Sequence, residues 1–147
     1  MIRRCLATVL LFAVSGAACA KDRAIDSPEA AGRTYATNYK DMVLATCIAT
    51  AYQNNRSAAT DAGSSVSALR DWTYYDLENS PDEIMSLVNR YLARDYHNPL
   101  VEPEVKGVKF DLLKCLDLYH SAELNAQVKR FVSKPNRTFR QERPPQR

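Results

Sequence analysis

Two cysteines, Cys47 and Cys115, constrain what this chain can fold into more than any other pair of residues. Cys115 stands in the stretch 108–120, V-K-F-D-L-L-K-C-L-D-L-Y-H. There Val108, Leu112, Cys115, Leu116 and Tyr119 recur at the spacing of one helix face, with Lys109, Asp111, Lys114 and Asp117 on the other. The pattern predicts an amphipathic helix whose cysteine faces the core. Cys47 lies in an earlier helical pattern over 35–52, where Tyr39, Met42, Val43, Cys47, Ile48 and Tyr52 gather on one side. In an oxidising compartment the two are expected to pair, closing a long loop and contributing a few kcal/mol by restricting the unfolded chain. The alternative is two buried free thiols, since cysteine is a common core residue; thiol counting with and without reductant separates the two.

The compartment is read from the N-terminus. Arg3 and Arg4 precede an apolar run over 5–14 that is too short to anchor stably in a bilayer, and Ala18, Cys19 and Ala20 are small residues suited to cleavage. Residues 1–20 are therefore expected to be a secretory signal cut after Ala20, taking Cys5 and Cys19 with it. A retained anchor is one competing reading. Acylation at Cys19 is another, although Gly16 stands where a lipoprotein signal usually carries leucine. An exported form starting at Lys21, found by mass spectrometry, excludes both.

The net charge of +3 conceals an uneven distribution. Lys134, Arg137, Arg140, Arg143 and Arg147 against Glu142 leave the tail at +4, whereas residues 21–133 hold 13 basic and 16 acidic side chains, a net of −3. A mildly acidic body argues against a nucleic-acid surface and suits a basic partner.

Along the chain, 21–34 has mixed charge, Pro28 and no period, and reads as a mobile arm. After the first helix, 53–57 is a polar break and a second helix is expected over 58–75, poor in helix preference at Gly63, Ser64 and Ser65 but periodic in Ala62, Val66, Leu69 and Thr73. Trp72, Tyr74 and Tyr75 end it as an aromatic cluster, a core or dimer contact, with a hot spot for another partner as the competing role. Ser80-Pro81-Asp82-Glu83 has the makings of a capping box and starts a helix over 81–94 with Ile84, Leu87, Val88, Tyr91 and Leu92 inward. A long link, 95–107, carries Pro99 and Pro103, with Leu100 and Val101 at its centre. The helix of Cys115 follows. Ser121 then caps a last helix over 122–132 with Leu124, Val128 and Phe131 inward. The fold class is all-α: a single-domain bundle of about five helices over 35–133, ending in a basic disordered tail over 134–147.

No catalytic constellation is legible. His120 lies five residues from Cys115 on one helix, which points the two side chains to different faces. His97 has no local nucleophile. Two isolated histidines and two cysteines expected to pair do not make a metal site, and the four glycines are scattered rather than gathered into a phosphate loop. No cofactor is expected, and the chain reads as a binding protein.

Several separated blocks carry a resemblance: Ala62-Gly63-Ser64-Ser65, Leu69-Arg70-Asp71-Trp72, Tyr74-Tyr75-Asp76, and the run from Val108 through Cys115 to Asp117. Together they resemble the bacterial immunity proteins of the fourth family of type VI secretion amidase effectors, across roughly 38–132. The resemblance implies an all-helical periplasmic homodimer that binds and inhibits a papain-like cell-wall amidase delivered by neighbouring or sister cells. It implies blockade by a helix and a protruding loop contributed across the dimer, in a heterotetramer with two effector molecules.

Two segments have the character of an inhibitor's contact. The first is Asp76, Leu77, Glu78, Asn79 and Ser80, running into Asp82 and Glu83: four acids with a proline-stiffened exit, so little entropy is lost on docking. For Asp82 and Glu83, helix capping is the competing role. The second is the link around Tyr96, Leu100, Val101 and Glu102, where the apolar pair either plugs a cleft or packs within the chain. Trp72, Tyr74 and Tyr75 are the expected dimer face. Competing functional readings are an inhibitor of another cell-wall hydrolase, of the lysozyme-inhibitor kind, and a non-inhibitory helical adaptor.

Overall fold

The computed structural model of the protein describes residues 28–101 and 103–143; the expected signal over 1–20 and its cleavage point lie outside them. The order of elements is a short 3₁₀ helix Glu29–Gly32, then α1 (Tyr35–Ala51), α2 (Arg56–Asp71), α3 (Ser80–Leu92), α4 (Asp111–His120), α5 (Ala122–Phe131) and α6 (Phe139–Glu142). Among the described residues there is no strand, only isolated bridges between Thr34 and Thr138 and between Tyr75 and Val132. None of these helices is long and apolar enough to cross a membrane.

Helix α1 is the central element and packs against α2, α3, α4 and α5. Thr34 caps it, its side chain accepting from the Thr37 N–H at 3.2 Å. Tyr35, Tyr39, Met42, Val43 and Cys47 then run along the buried side, which is why one helix can serve four neighbours. A four-residue turn, capped by Asn55 accepting from the Ala58 N–H, folds α2 back along α1. Only Ala62 and Leu69 of α2 are buried, and the Ser64, Ser65 and Ser67 hydroxyls donate to the carbonyls four residues back.

Helix α2 stops at Asp71 rather than at the expected 75. Trp72 to Tyr75 is non-helical, and Tyr75 bridges Val132 instead of extending the helix. The staple is present: Cys47 of α1 and Cys115 of α4 are joined, with Cα atoms 5.6 Å apart.

The face of α4 is turned from the one its periodicity suggested. Lys114, Cys115 and Leu118 are buried, whereas Leu112, Leu113 and Leu116 are exposed. At 100° per residue Leu118 and Lys114 lie on one side of Cys115 and Leu112, Leu116 and Leu113 on the other, and the helix is rolled so that the Lys114–Leu118 side faces the core. Lys114 is tolerated inside because its ammonium donates to the Leu92 carbonyl at 3.2 Å and to Asp111 at 3.1 Å, closing the C-terminal end of α3.

Both ends of the described chain are more ordered than composition suggested. Ala30 is buried, and its carbonyl accepts from the Asn38 amide at 2.8 Å, so 28–34 is packed rather than an arm. At the other end, Tyr35 N–H donates to Arg137 O and Ala36 N–H to Pro135 O, and α6 starts with a capping box between Thr138 and Gln141. These bonds fold 134–143 onto the start of α1, because T-x-x-Q supplies both halves of the reciprocal cap.

Candidate interaction site

The acidic segment between α2 and α3 is a preformed turn. Asp76 Oδ1 accepts from the N–H groups of Glu78 and Asn79 at 3.0 and 2.9 Å, and Oδ2 accepts from the Asn79 amide at 2.8 Å. These bonds, the Asn79 N–H first and its side-chain amide next, hold the Asp76 carboxyl below the usual carboxylate range. The turn is tied to the body by Asp76 N–H donating to Phe131 O at 2.9 Å. Leu77, 62% exposed, and the exposed Glu78 and Asn79 project from it.

Ser80 differs from expectation. It is the first residue of α3 rather than its cap, fully buried, and its hydroxyl shares a hydrogen bond with the Tyr39 hydroxyl at 2.8 Å. The cap position is Asn79, which makes no side-chain cap bond, and Asp76 instead holds the turn ahead of the helix. Asp82 is exposed on the first turn of α3. Glu83 reaches Arg130 at 3.3 Å, and its carbonyl accepts from the Gln127 amide, so this acid ties α3 to α5 instead of completing a box with Ser80.

The expected dimer trio is divided. Tyr75 stands edge-on to Tyr39, with centroids 5.5 Å apart, and Trp72 packs on the core while its carbonyl accepts from Asn38. Tyr74, 42% exposed, stands edge-on to Tyr35. Trp72, Tyr74, Tyr75 and Leu77 line one surface groove together with Arg70, Asp71, Phe139 and Arg143. The aromatic cluster and the acidic turn thus adjoin at Leu77.

The second candidate segment lies elsewhere. From Ser80 to Leu92, α3 spans about 18 Å at 1.5 Å per residue, and the link 95–110 leaves its far end. Tyr96 donates to Asp117 of α4, and this bond, ahead of burial, raises its phenol. Leu100 is 85% exposed, and Val101 is partly covered within a turn whose N–H groups reach Asn98. Glu102 lies outside the described residues. The structure therefore does not bring the two candidate contact segments together on one chain.

A further surface was not read from the sequence. The outward leucines of α4, Leu112, Leu113 and Leu116, line a groove of about 550 Å³ with Tyr52, Val108 and Phe110. Phe110 has a left-handed backbone, φ 55°, just ahead of α4, a conformation costing a non-glycine residue about 1 kcal/mol or more. Gly107, φ 74°, makes the preceding turn, where a side chain would be strained.

Fold and surface define a small all-α domain, cross-linked between α1 and α4, with a hydrogen-bonded acidic turn, an apolar groove along α4 and a mixed aromatic and charged groove beside the turn. Residues 37–128 match Tai4, described as the type VI secretion system amidase immunity protein, and the chain belongs to that family. Among solved structures it is similar to one described under new type VI-secreted toxins and self-resistance proteins in Serratia marcescens, with TM-score 0.70 and 22% identity over 97% of this chain and 100% of that one. It is also similar to one from the effector–immunity system Tae4/Tai4 of Salmonella typhimurium, with TM-score 0.60 and 23% identity over 71% of this chain and 95% of that one. No curated protein matches the chain.

Proposed function

We propose that this chain is a periplasmic immunity protein that binds a type VI secreted peptidoglycan amidase and occludes its active-site groove, protecting the producing cell from toxin delivered by sister cells. It is no enzyme in this reading, and its residues bind rather than react. Membership of the amidase immunity family carries the reading. Export behind residues 1–20, with cleavage after Ala20, accords with a disulfide between the two cysteines that remain. The contact surface is the turn at Asp76 with Leu77, Glu78 and Asn79, extended by Asp82 and Tyr74. Because Asp76 already fixes that turn, docking orders little new chain, the property a stoichiometric inhibitor needs.

A two-fold pair accounts for the second segment. In this arrangement a second copy covers the leucines of α4, and each chain adds its 95–110 link, with Leu100 and Val101 at its tip, to the amidase held by its partner. The exposed leucine groove, whose apolar lining continues from Leu112, Leu113 and Leu116 to Tyr52 and Val108, supports that assignment over the divided aromatic trio. Two chains and two amidases then form the heterotetramer, each contact burying about 1,600 Å² as in standard protease–inhibitor pairs. Deleting the gene tests the role: the cells become sensitive to the secreted amidase if it protects, and stay as resistant as before if it does not.

A further inference from the structure

The groove beside the acidic turn has a charge opposite to that of the turn. Arg70, at the end of α2, and Arg143, just after α6, both line it, together with Tyr74, Trp72 and Leu77. Neither guanidinium has a carboxylate partner among the described residues. Asp71 also lines the groove, so one carboxylate stands against two cations there. The neighbouring acids are committed elsewhere: Asp76 to the N–H groups and amide of its own turn, and Glu142 to Lys134 at 3.0 Å and Arg137 at 3.7 Å. The Arg143 guanidinium carbon lies 5.5 Å from the centroid of the Phe139 ring, within cation–π range, which keeps this cation beside the groove.

From this we infer that the groove seats a carboxylate-bearing apolar segment of the amidase, an Asp or Glu flanked by an aliphatic or aromatic residue. The inference rests on the immunity reading and refines it. A basic partner surface meets Glu78 and Asp82, while a local acid of the same partner enters between Arg70 and Arg143 and its apolar neighbour packs on Tyr74 and Leu77. The chemistry supports this combination, because tyrosine, tryptophan and arginine dominate binding energy at interfaces, and a guanidinium forks onto a carboxylate through two parallel hydrogen bonds. A uniformly basic segment would set its charge against both arginines. The arrangement also separates the roles of the two charges: the acids steer encounter, and the arginines hold the docked complex.

The test uses the full mature chain and a purified fourth-family type VI amidase that it is proposed to bind. In the double variant Arg70→Glu with Arg143→Glu, inhibition should weaken by about 30-fold or more, with the melting temperature unchanged because both side chains are exposed. Arg70→Lys with Arg143→Lys should fall between, since lysine keeps the charge and loses the fork. Leu77→Asp, at a position that is 62% exposed, should weaken inhibition without loss of fold and provides a second reading should the double variant fail to fold. Inhibition by the double variant equal to that of the wild type overturns the groove assignment and leaves the immunity reading standing. A wild-type chain that does not inhibit this amidase overturns both.

Discussion

The hydroxyls of Tyr39 and Ser80 meet at 2.8 Å in the core, joining α1 to the first turn of α3. This bond anchors the acidic turn from behind, because Ser80 follows directly on Asn79. Ser80→Ala leaves the buried phenol of Tyr39 without its partner and should cost about 1–3 kcal/mol in urea unfolding. Adding Tyr39→Phe to it should restore part of that loss, since no orphan polar group then remains. A stability unchanged by Ser80→Ala contradicts the assigned bond.

Burial pushes the Tyr39 phenol up to about 12 from its ordinary 10.0, with the Ser80 bond acting the other way. A raised pKa favours the protonated, folded form. Its contribution is complete below the unfolded value and is lost as pH rises through the folded one, so an alkaline loss of stability is expected between 10 and about 12. Tyr39→Phe should flatten that limb. Asp76 acts at the acid end with the opposite sign. Its lowered pKa means that its contribution is present above the unfolded carboxylate value and is lost as pH falls through the folded one. Asp76→Asn should weaken the acid limb of the stability profile, and an NMR titration should place the Asp76 midpoint below that of an ordinary aspartate.

The Cys47–Cys115 bond closes a separation of 68 residues. Treated as a restriction of the unfolded chain, such a loop contributes about 4 kcal/mol. The Cys47→Ala, Cys115→Ala chain should lose stability on that order in denaturant titration, and the wild-type chain should lose a similar amount when reductant is added. Equal midpoints for oxidised and reduced protein would remove the staple from the account.

Glu78 is exposed on the turn and makes no side-chain bond there. Glu78→Lys should therefore weaken amidase binding, through a slower association that is sensitive to salt, and leave the melting temperature in place. Unchanged affinity takes this residue out of the contact surface.

In the proposed pair, Leu113→Glu should convert a dimer into a monomer in light scattering without loss of helical signal, since the leucine already faces outward. Tyr74→Glu, on the other groove, should leave the dimer intact. The opposite pattern would return the pairing surface to the aromatic cluster.

How much of this was legible in the sequence depended on whether local pattern and tertiary demand agreed. They agree in α1, where the spacing of Tyr39, Met42, Val43 and Cys47 alone defines the buried side, and in α3 and α5, whose inward residues are those their periodicity selects. They conflict in α4. Leucines on both sides of that helix leave its apolar face ambiguous, and the burial of Leu118 together with the bond of Lys114 to the end of α3 decides it. Ser80 misled because a hydroxyl ahead of Pro81 has the local grammar of a cap, whereas a buried tyrosine 41 positions away claims it. Thr138 and Gln141 spelled a capping box that the basic composition around them obscured. Arg70 and Arg143 carried no sequence signal as a pair, because only the return of the C-terminal segment onto α1 sets them along one groove.

The account's central claim is stoichiometric occlusion, and one titration tests it most directly. Mature chain is added stepwise to a fixed amount of the amidase while cleavage of peptidoglycan stem peptides is followed. The account predicts a linear fall in activity to zero at one chain per amidase, with the chain recovered intact. Full activity in the presence of excess chain, or cleavage by the chain alone, contradicts it.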